Sequence, residues 1–145
     1  MASSEQIKVV ADLHQTFTDR DADGFVSHLV EEAILRPSTL IAGREEYRGI
    51  ADVRSGFGEI VEMLESRGED VTVDPIRFYA DRTDGNVVVS LAKLTVKRRD
   101  GGELTTDIAY LWRLRGEKLT ELHAWLGWDE GLGQLGDPEE VSAPS

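Results

Sequence analysis

The sequence contains no cysteine, which excludes disulfides, thiolate nucleophiles and cysteine-ligated zinc or iron-sulfur sites. A reducing cytoplasm is the expected location. Positive charge is in short supply, with 16 Lys and Arg against 28 Asp and Glu and a formal net charge of -12. Such a chain repels phosphate backbones and anionic lipid head groups, so neither nucleic acid nor a membrane surface is an expected partner. Long hydrophobic runs are missing too. No stretch approaches the roughly 20 apolar residues that span a bilayer, and the opening MASSEQIKVVADLH has no basic segment followed by an unbroken apolar one, so export is not expected.

What is present suits one globular domain. The chain has 145 residues, 40% of them hydrophobic, with three Trp, three Tyr and four Phe, enough for a single sizeable core. Ser3, Ser4 and Glu5 precede an apolar stripe of Ile7, Val10, Leu13, His14 and Phe17, which predicts an amphipathic helix over 4–18. Phe25, Val26, Leu29 and Val30 predict a short second helix, and Ala33 to Arg36 a short strand, because Pro37 disfavours helix at the residue before it. Val53, Phe57, Ile60, Val61 and Leu64 recur at helical spacing up to Gly68 and predict a third helix. From residue 71 the pattern changes to strands over 71–80, 86–98, 104–115 and 118–128, separated by turn signals at Thr83-Asp84-Gly85, Asp100-Gly101-Gly102 and Gly116-Glu117. The expected fold class is α+β, three N-terminal helices packed on one face of a mainly antiparallel sheet. Residues 1–130 form the expected domain, and 131–145, rich in Gly, Pro, Ser and Glu, a flexible tail.

Alternation assigns side chains to the two sheet faces. Ile108, Tyr110, Trp112 and Leu114 share one face, and Asp107, Ala109, Leu111 and Arg113 the other. Along the last strand Leu122, Ala124 and Leu126 oppose Glu121, His123 and Trp125. Both faces carry large apolar groups. The expectation is that a homodimer partner covers the outer one, with His123 in the interface.

One stretch imitates a metal site. DRDADGFV places Asp19, Asp21, Asp23 and Gly24 as in the first half of a calcium-binding loop, but the twelfth position, which should carry a bidentate carboxylate, is Val30. The three histidines come from separate elements with no HxH or HExxH spacing. No metal is expected, and the aspartates read as caps for the second helix.

The order of helix, DADGF turn, short helix, AILRPS strand, YRGIADVR helix entrance, three long strands and a closing KLTELHAWLGWDEGL resembles the SnoaL-like branch of the nuclear transport factor 2-like superfamily. The resemblance covers residues 6–132 and implies a cone-shaped domain with a pocket between a curved sheet and the three helices. Relatives include ketosteroid isomerases, polyketide cyclases and limonene epoxide hydrolases, which act on apolar ring compounds commonly without a cofactor. None is therefore expected here, and the expected partner is a small organic ligand.

Carried over by position, the resemblance puts Arg36 where the isomerases have the carboxylate base before proline. An arginine cannot accept a proton at neutral pH. The isomerases' oxyanion donor falls at Tyr110, and their helix-one tyrosine at Leu13. The cyclases' last-strand acid/base pair falls at Leu122 and Ala124, and an epoxide-hydrolase-type network has only Arg36 and Asp107 to draw on. The candidate catalytic residues are therefore Arg36 and Tyr110, as anchors or polarisers of a ligand oxygen, and His14, the best-placed neutral base. Trp112, His28, Leu122 and Leu126 are the candidate ligand-binding residues. The expected function is a pocket for a small cyclic or carbonyl-bearing ligand, either a cofactor-free isomerase, cyclase or hydrolase in which Arg36 replaces the base, or a non-catalytic binding or dimerisation module.

Overall fold

The structure, a computed structural model, describes residues 1–38 and 44–142. Helices α1 (Ser4–Thr18), α2 (Ala22–Ser27) and α3 (Ile50–Arg67) lie against one face of a seven-stranded sheet. Its strands are β1 (Leu29–Arg36), β2 (Tyr47–Arg48), β3 (Glu69–Asp81), β4 (Asp84–Arg98), β5 (Glu103–Arg115), β6 (Lys118–Trp125) and β7 (Pro138–Val141), in the spatial order β2-β1-β6-β5-β4-β3-β7. A short helix α4 (Trp128–Leu132) follows β6. All neighbouring strands are antiparallel except β1 and β6. The expected α+β architecture is present.

Local chemistry starts each helix. The Ser3 hydroxyl accepts from the Gln6 amide at 3.2 Å while the Gln6 side chain accepts from the Ser3 amide at 2.9 Å, a reciprocal cap that satisfies two otherwise orphan donors. Asp21 caps α2 by accepting from the Gly24 amide at 2.9 Å, and Asp23 pairs with Arg54 on α3. Two of the three aspartates of the calcium-like stretch are thus engaged with the helices, Asp21 as a cap and Asp23 in an ion pair between α2 and α3. Among the described residues no group of three or more acidic or histidine side chains is placed to hold a metal ion.

The short strand expected at 33–36 is longer, beginning at Leu29. Leu29 and Val30, expected in the second helix, are drawn into the sheet by the parallel partner: the Leu119 amide donates to the His28 carbonyl at 2.7 Å, and Leu29 pairs with Leu119. Inside the cone, Ile108, Tyr110, Trp112 and Leu114 join Leu122 and the apolar stripes of the helices in one core, as alternation predicts.

On the outer face the tail differs from expectation. Val87, Val89, Leu91, Ala109 and Leu111 form a second cluster on that face, completed by Leu135 and flanked by Trp125, Trp128 and Leu132. The chain's own C-terminal segment packs over this cluster. Gly127, at φ +141°, turns the chain out of β6, and Trp128 Nε1 donates to the Ala92 carbonyl at 2.9 Å. The buried Asp81 carboxylate then accepts from the Thr83 hydroxyl at 2.7 Å and from the amides of Thr83, Gly136 and Asp137 at 2.9, 2.9 and 3.1 Å. These bonds, that of the Thr83 hydroxyl foremost, hold the Asp81 carboxyl well below the usual carboxylate range. Residues 138–141 pair with β3 as an edge strand. Composition missed this because Gly and Pro here form a turn and an edge that bury only Leu135 and Gly131. Residues 143–145 lie outside the described residues.

At Gly131 there is no room for a side chain: a Cβ there would sit 2.4 Å from the Ala109 Cβ. Gly131→Val should push α4 off the sheet and destabilise the fold by about 1–3 kcal/mol. Urea unfolding measures this, and iodide quenching of Trp128 should rise in the same variant.

Candidate functional site

Between the helices and the inner sheet face lies a cavity walled by Leu13, His14 and Phe17 of α1, Phe25 of α2, Val53 and Phe57 of α3, Tyr110 and Trp112 of β5, and Leu35, Pro37, Tyr47 and Leu122. Its volume is about 80 Å³, counted over positions open to the centre of a water-sized sphere. One water needs roughly 10–15 Å³ on that measure, so a small ring compound fits. The wall is almost wholly apolar.

Three polar side chains interrupt it: Tyr47, over whose ring the Arg44 guanidinium lies at 4.3 Å, Tyr110 and His14. Tyr110 is 7% exposed, and its hydroxyl has no hydrogen-bond partner among the described residues. Among the described residues no sealed side-chain oxygen or nitrogen lacks a partner, so this hydroxyl is not sealed, and Tyr110 lines the cavity. Burial pushes the phenol's pKa up and keeps it protonated. It is a neutral donor with nothing to donate to, in a place where a ligand oxygen would be dry.

His14 is held from behind. Its Nε2 lies 2.9 Å from the Ser90 hydroxyl, whose oxygen accepts from Trp112 Nε1 at 2.8 Å. Ser90, on β4, is fully buried. The His14 ring meets Tyr110 edge-on at 5.6 Å and Trp112 at 5.0 Å between centroids, so the polar groups and their aromatic supports form one cluster. Burial lowers the imidazole pKa to about 3, and His14 is uncharged at neutral pH.

No family sequence model matches this chain, and no curated protein sequence does. Solved structures do. TerC, co-crystallised with polyporic acid, superposes with a TM-score of 0.70 and 20% identity over 90% of this chain and 97% of its own. A nuclear transport factor 2-like protein of unknown function from Burkholderia pseudomallei gives 0.67 and 16% over 92% and 99%. A Catenulispora acidiphila protein with a ketosteroid isomerase-like fold, in complex with trimethylamine, gives 0.67 and 16% over 90% and 94%.

The chain has the nuclear transport factor 2-like fold. At these identities the likeness carries the fold, and the site must be read from this chain's own residues. Of the residues expected in the pocket of this fold, His14, Tyr110, Trp112 and Leu122 line the cavity together. Arg36 does not. β1 and β6 pair with Leu35 opposite Leu122 and Arg36 opposite His123, and residues directly opposite share a face, so Leu35 points inward and Arg36 outward. There Arg36 donates to Glu121 at 2.7 Å and to Glu46 at 3.0 Å. His28 caps the end of α2 away from the cavity. Leu126 lies beyond the end of β6, half exposed in a surface hollow with Pro37 and Trp125. Asp107 pairs with Lys93 on the outer face, as alternation predicts. His123 stacks on Trp125 at 4.0 Å, also outside. No helix among the described residues is long and apolar enough to cross a membrane.

Ser90 was missed. Its signal is the lone polar side chain in VVVSLA (residues 87–92), at an inward position of a strand apolar on both faces.

Because the folded imidazole resists protonation down to about pH 3 while an unfolded one titrates near 6.5, the unfolded state binds more protons between those values and stability falls as pH falls. From pH 7 to pH 5 this group should lower the unfolding free energy by about 2 kcal/mol. Urea unfolding of the native chain and His14→Gln at both pH values isolates that difference, which should be absent from the variant.

Proposed function

We propose that the cavity binds a small, neutral, largely apolar ring compound through an acceptor oxygen hydrogen-bonded by the Tyr110 hydroxyl. The observation that carries this reading is the Tyr110 donor, unpartnered among the described residues, in a preformed and largely apolar cavity. A site built to donate one hydrogen bond discriminates strongly against a ligand that cannot accept it, because its buried donor is then left unsatisfied. The same hydroxyl would stabilise negative charge developing on a carbonyl oxygen, the donor half of an isomerase- or cyclase-like reaction.

The acceptor half has no evident occupant. Among the described residues no carboxylate lines the cavity, and Arg36, proposed on sequence as the replacement for a base, belongs to a surface ion-pair network. That observation favours a second reading, in which the fold serves as a binding module without proton abstraction. Solved structures of this fold hold ligands as different as polyporic acid and trimethylamine, which is consistent with either.

Titration calorimetry with 1-indanone and indane separates hydrogen bonding from simple burial. The native chain should prefer indanone. Tyr110→Phe should weaken indanone binding by about two- to tenfold, the worth of one neutral hydrogen bond, leave indane unchanged, and match neither effect in Arg36→Ala. Equal affinity for the two compounds, or indifference to Tyr110→Phe, would sink the proposal.

A further inference from the structure

Ser90 decides what kind of group His14 is. An indole nitrogen can only donate, so the 2.8 Å contact from Trp112 Nε1 occupies one acceptor position on the Ser90 oxygen. The serine's own proton still needs an acceptor. Ser90 is fully buried, and among the described residues its only other side-chain partner is His14 Nε2, at 2.9 Å. If Nε2 carried the ring proton, two N–H groups would converge on the Ser90 oxygen and its O–H would be stranded in the core, a loss of about 1–3 kcal/mol. With the proton on Nδ1, every group is satisfied in a single direction, from indole to hydroxyl to imidazole.

We infer that the chain Trp112, Ser90, His14 fixes His14 as the Nδ1–H tautomer, making it a second hydrogen-bond donor for a bound ligand rather than a general base. The nitrogen that would accept a proton is already engaged by Ser90. The other ring nitrogen has no partner among the described residues, and among them no fully sealed side-chain nitrogen is left unpartnered, so it is not fully sealed. His14 lines the apolar cavity and also an open groove between α1 and β3 beside Gln15, Thr72 and Asp74.

This deepens the reading of the cavity as a ligand site and rests on it for its functional meaning. The chemistry that matches two donors, a phenol and an imidazole N–H, is a ring compound with acceptor oxygens, such as a ketone, lactone or cyclic ether. A ligand whose polar groups only donate is unmatched.

The tautomer is measurable without a ligand, so it fails independently of the binding proposal. Long-range proton–nitrogen correlation spectra of the full chain, labelled with nitrogen-15, identify which ring nitrogen of His14 is protonated at pH 7. The expected pattern is Nδ1–H with Nε2 bare. A predominant Nε2–H tautomer or an imidazolium would overturn the inference. Imidazole in water prefers Nε2–H, so Ser90→Ala should release His14 toward that form, whereas an Nδ1–H pattern unchanged in Ser90→Ala would show that Ser90 is not the cause and would also overturn it. If Ser90→Ala does not fold, the spectrum of the native chain decides alone.

Discussion

The Ser90 hydroxyl has no exposure at all, and the chemistry of the cavity depends on how that one buried polar group is satisfied. A hydroxyl sealed in an apolar core must find both its acceptor and its donor partners within the protein. Trp112 comes to it from β5 and His14 from α1, so a single group on β4 ties a neighbouring strand and the first helix to one geometry. The large ring of Trp112 is thereby held in orientation rather than merely packed, and it walls the cavity beside Tyr110. The ring of His14 is held without a charge. What is left open to the interior is a phenol hydroxyl in an apolar surround, which is why the site reads as one that donates hydrogen bonds.

The two faces of the sheet divide the work. Apart from the buried Asp81, the charged side chains of the described residues lie toward solvent, where Arg36 with Glu46 and Glu121, Arg48 with Glu46, and Lys93 with Asp107 form partly exposed pairs. Such pairs add little stability individually, but they leave the acidic excess facing solvent and away from the cavity. The outer apolar cluster is closed by α4 and Leu135, and Asp81 fastens that segment by accepting four bonds from it and from the adjoining turn. The centre of the second face is therefore packed by the chain itself.

The fold was legible because it rests on periodicity. A 3.6-residue stripe located His14 beside Leu13, and a two-residue alternation put Tyr110, Trp112 and Leu122 on one wall. The errors fall where periodicity has no say. Arg36 was placed by its position before Pro37, but the face it occupies is set by its register against His123 in a parallel pair that lies 87 residues away along the chain, a non-local contact. Leu126 was counted as strand, and the strand ends at Trp125 before the turn at Gly127. His28 terminates a helix rather than extending one. The tail's composition described its solvent-facing residues well and gave no sign of Asp81, which gathers their amides from 55 positions earlier. Ser90 went unnoticed because a serine in a valine-rich strand carries no periodic signal, and its importance comes from two partners on other elements.

If Ser90 organises the site, its contribution and that of His14 cannot be independent. A double-mutant cycle on unfolding free energy, using Ser90→Ala, His14→Phe and the combined variant, measures that dependence. The account predicts a coupling of about 1–2 kcal/mol, because removing either partner already strands the other. Additivity within about 0.5 kcal/mol would mean that the two side chains stand side by side without acting together, and would contradict it.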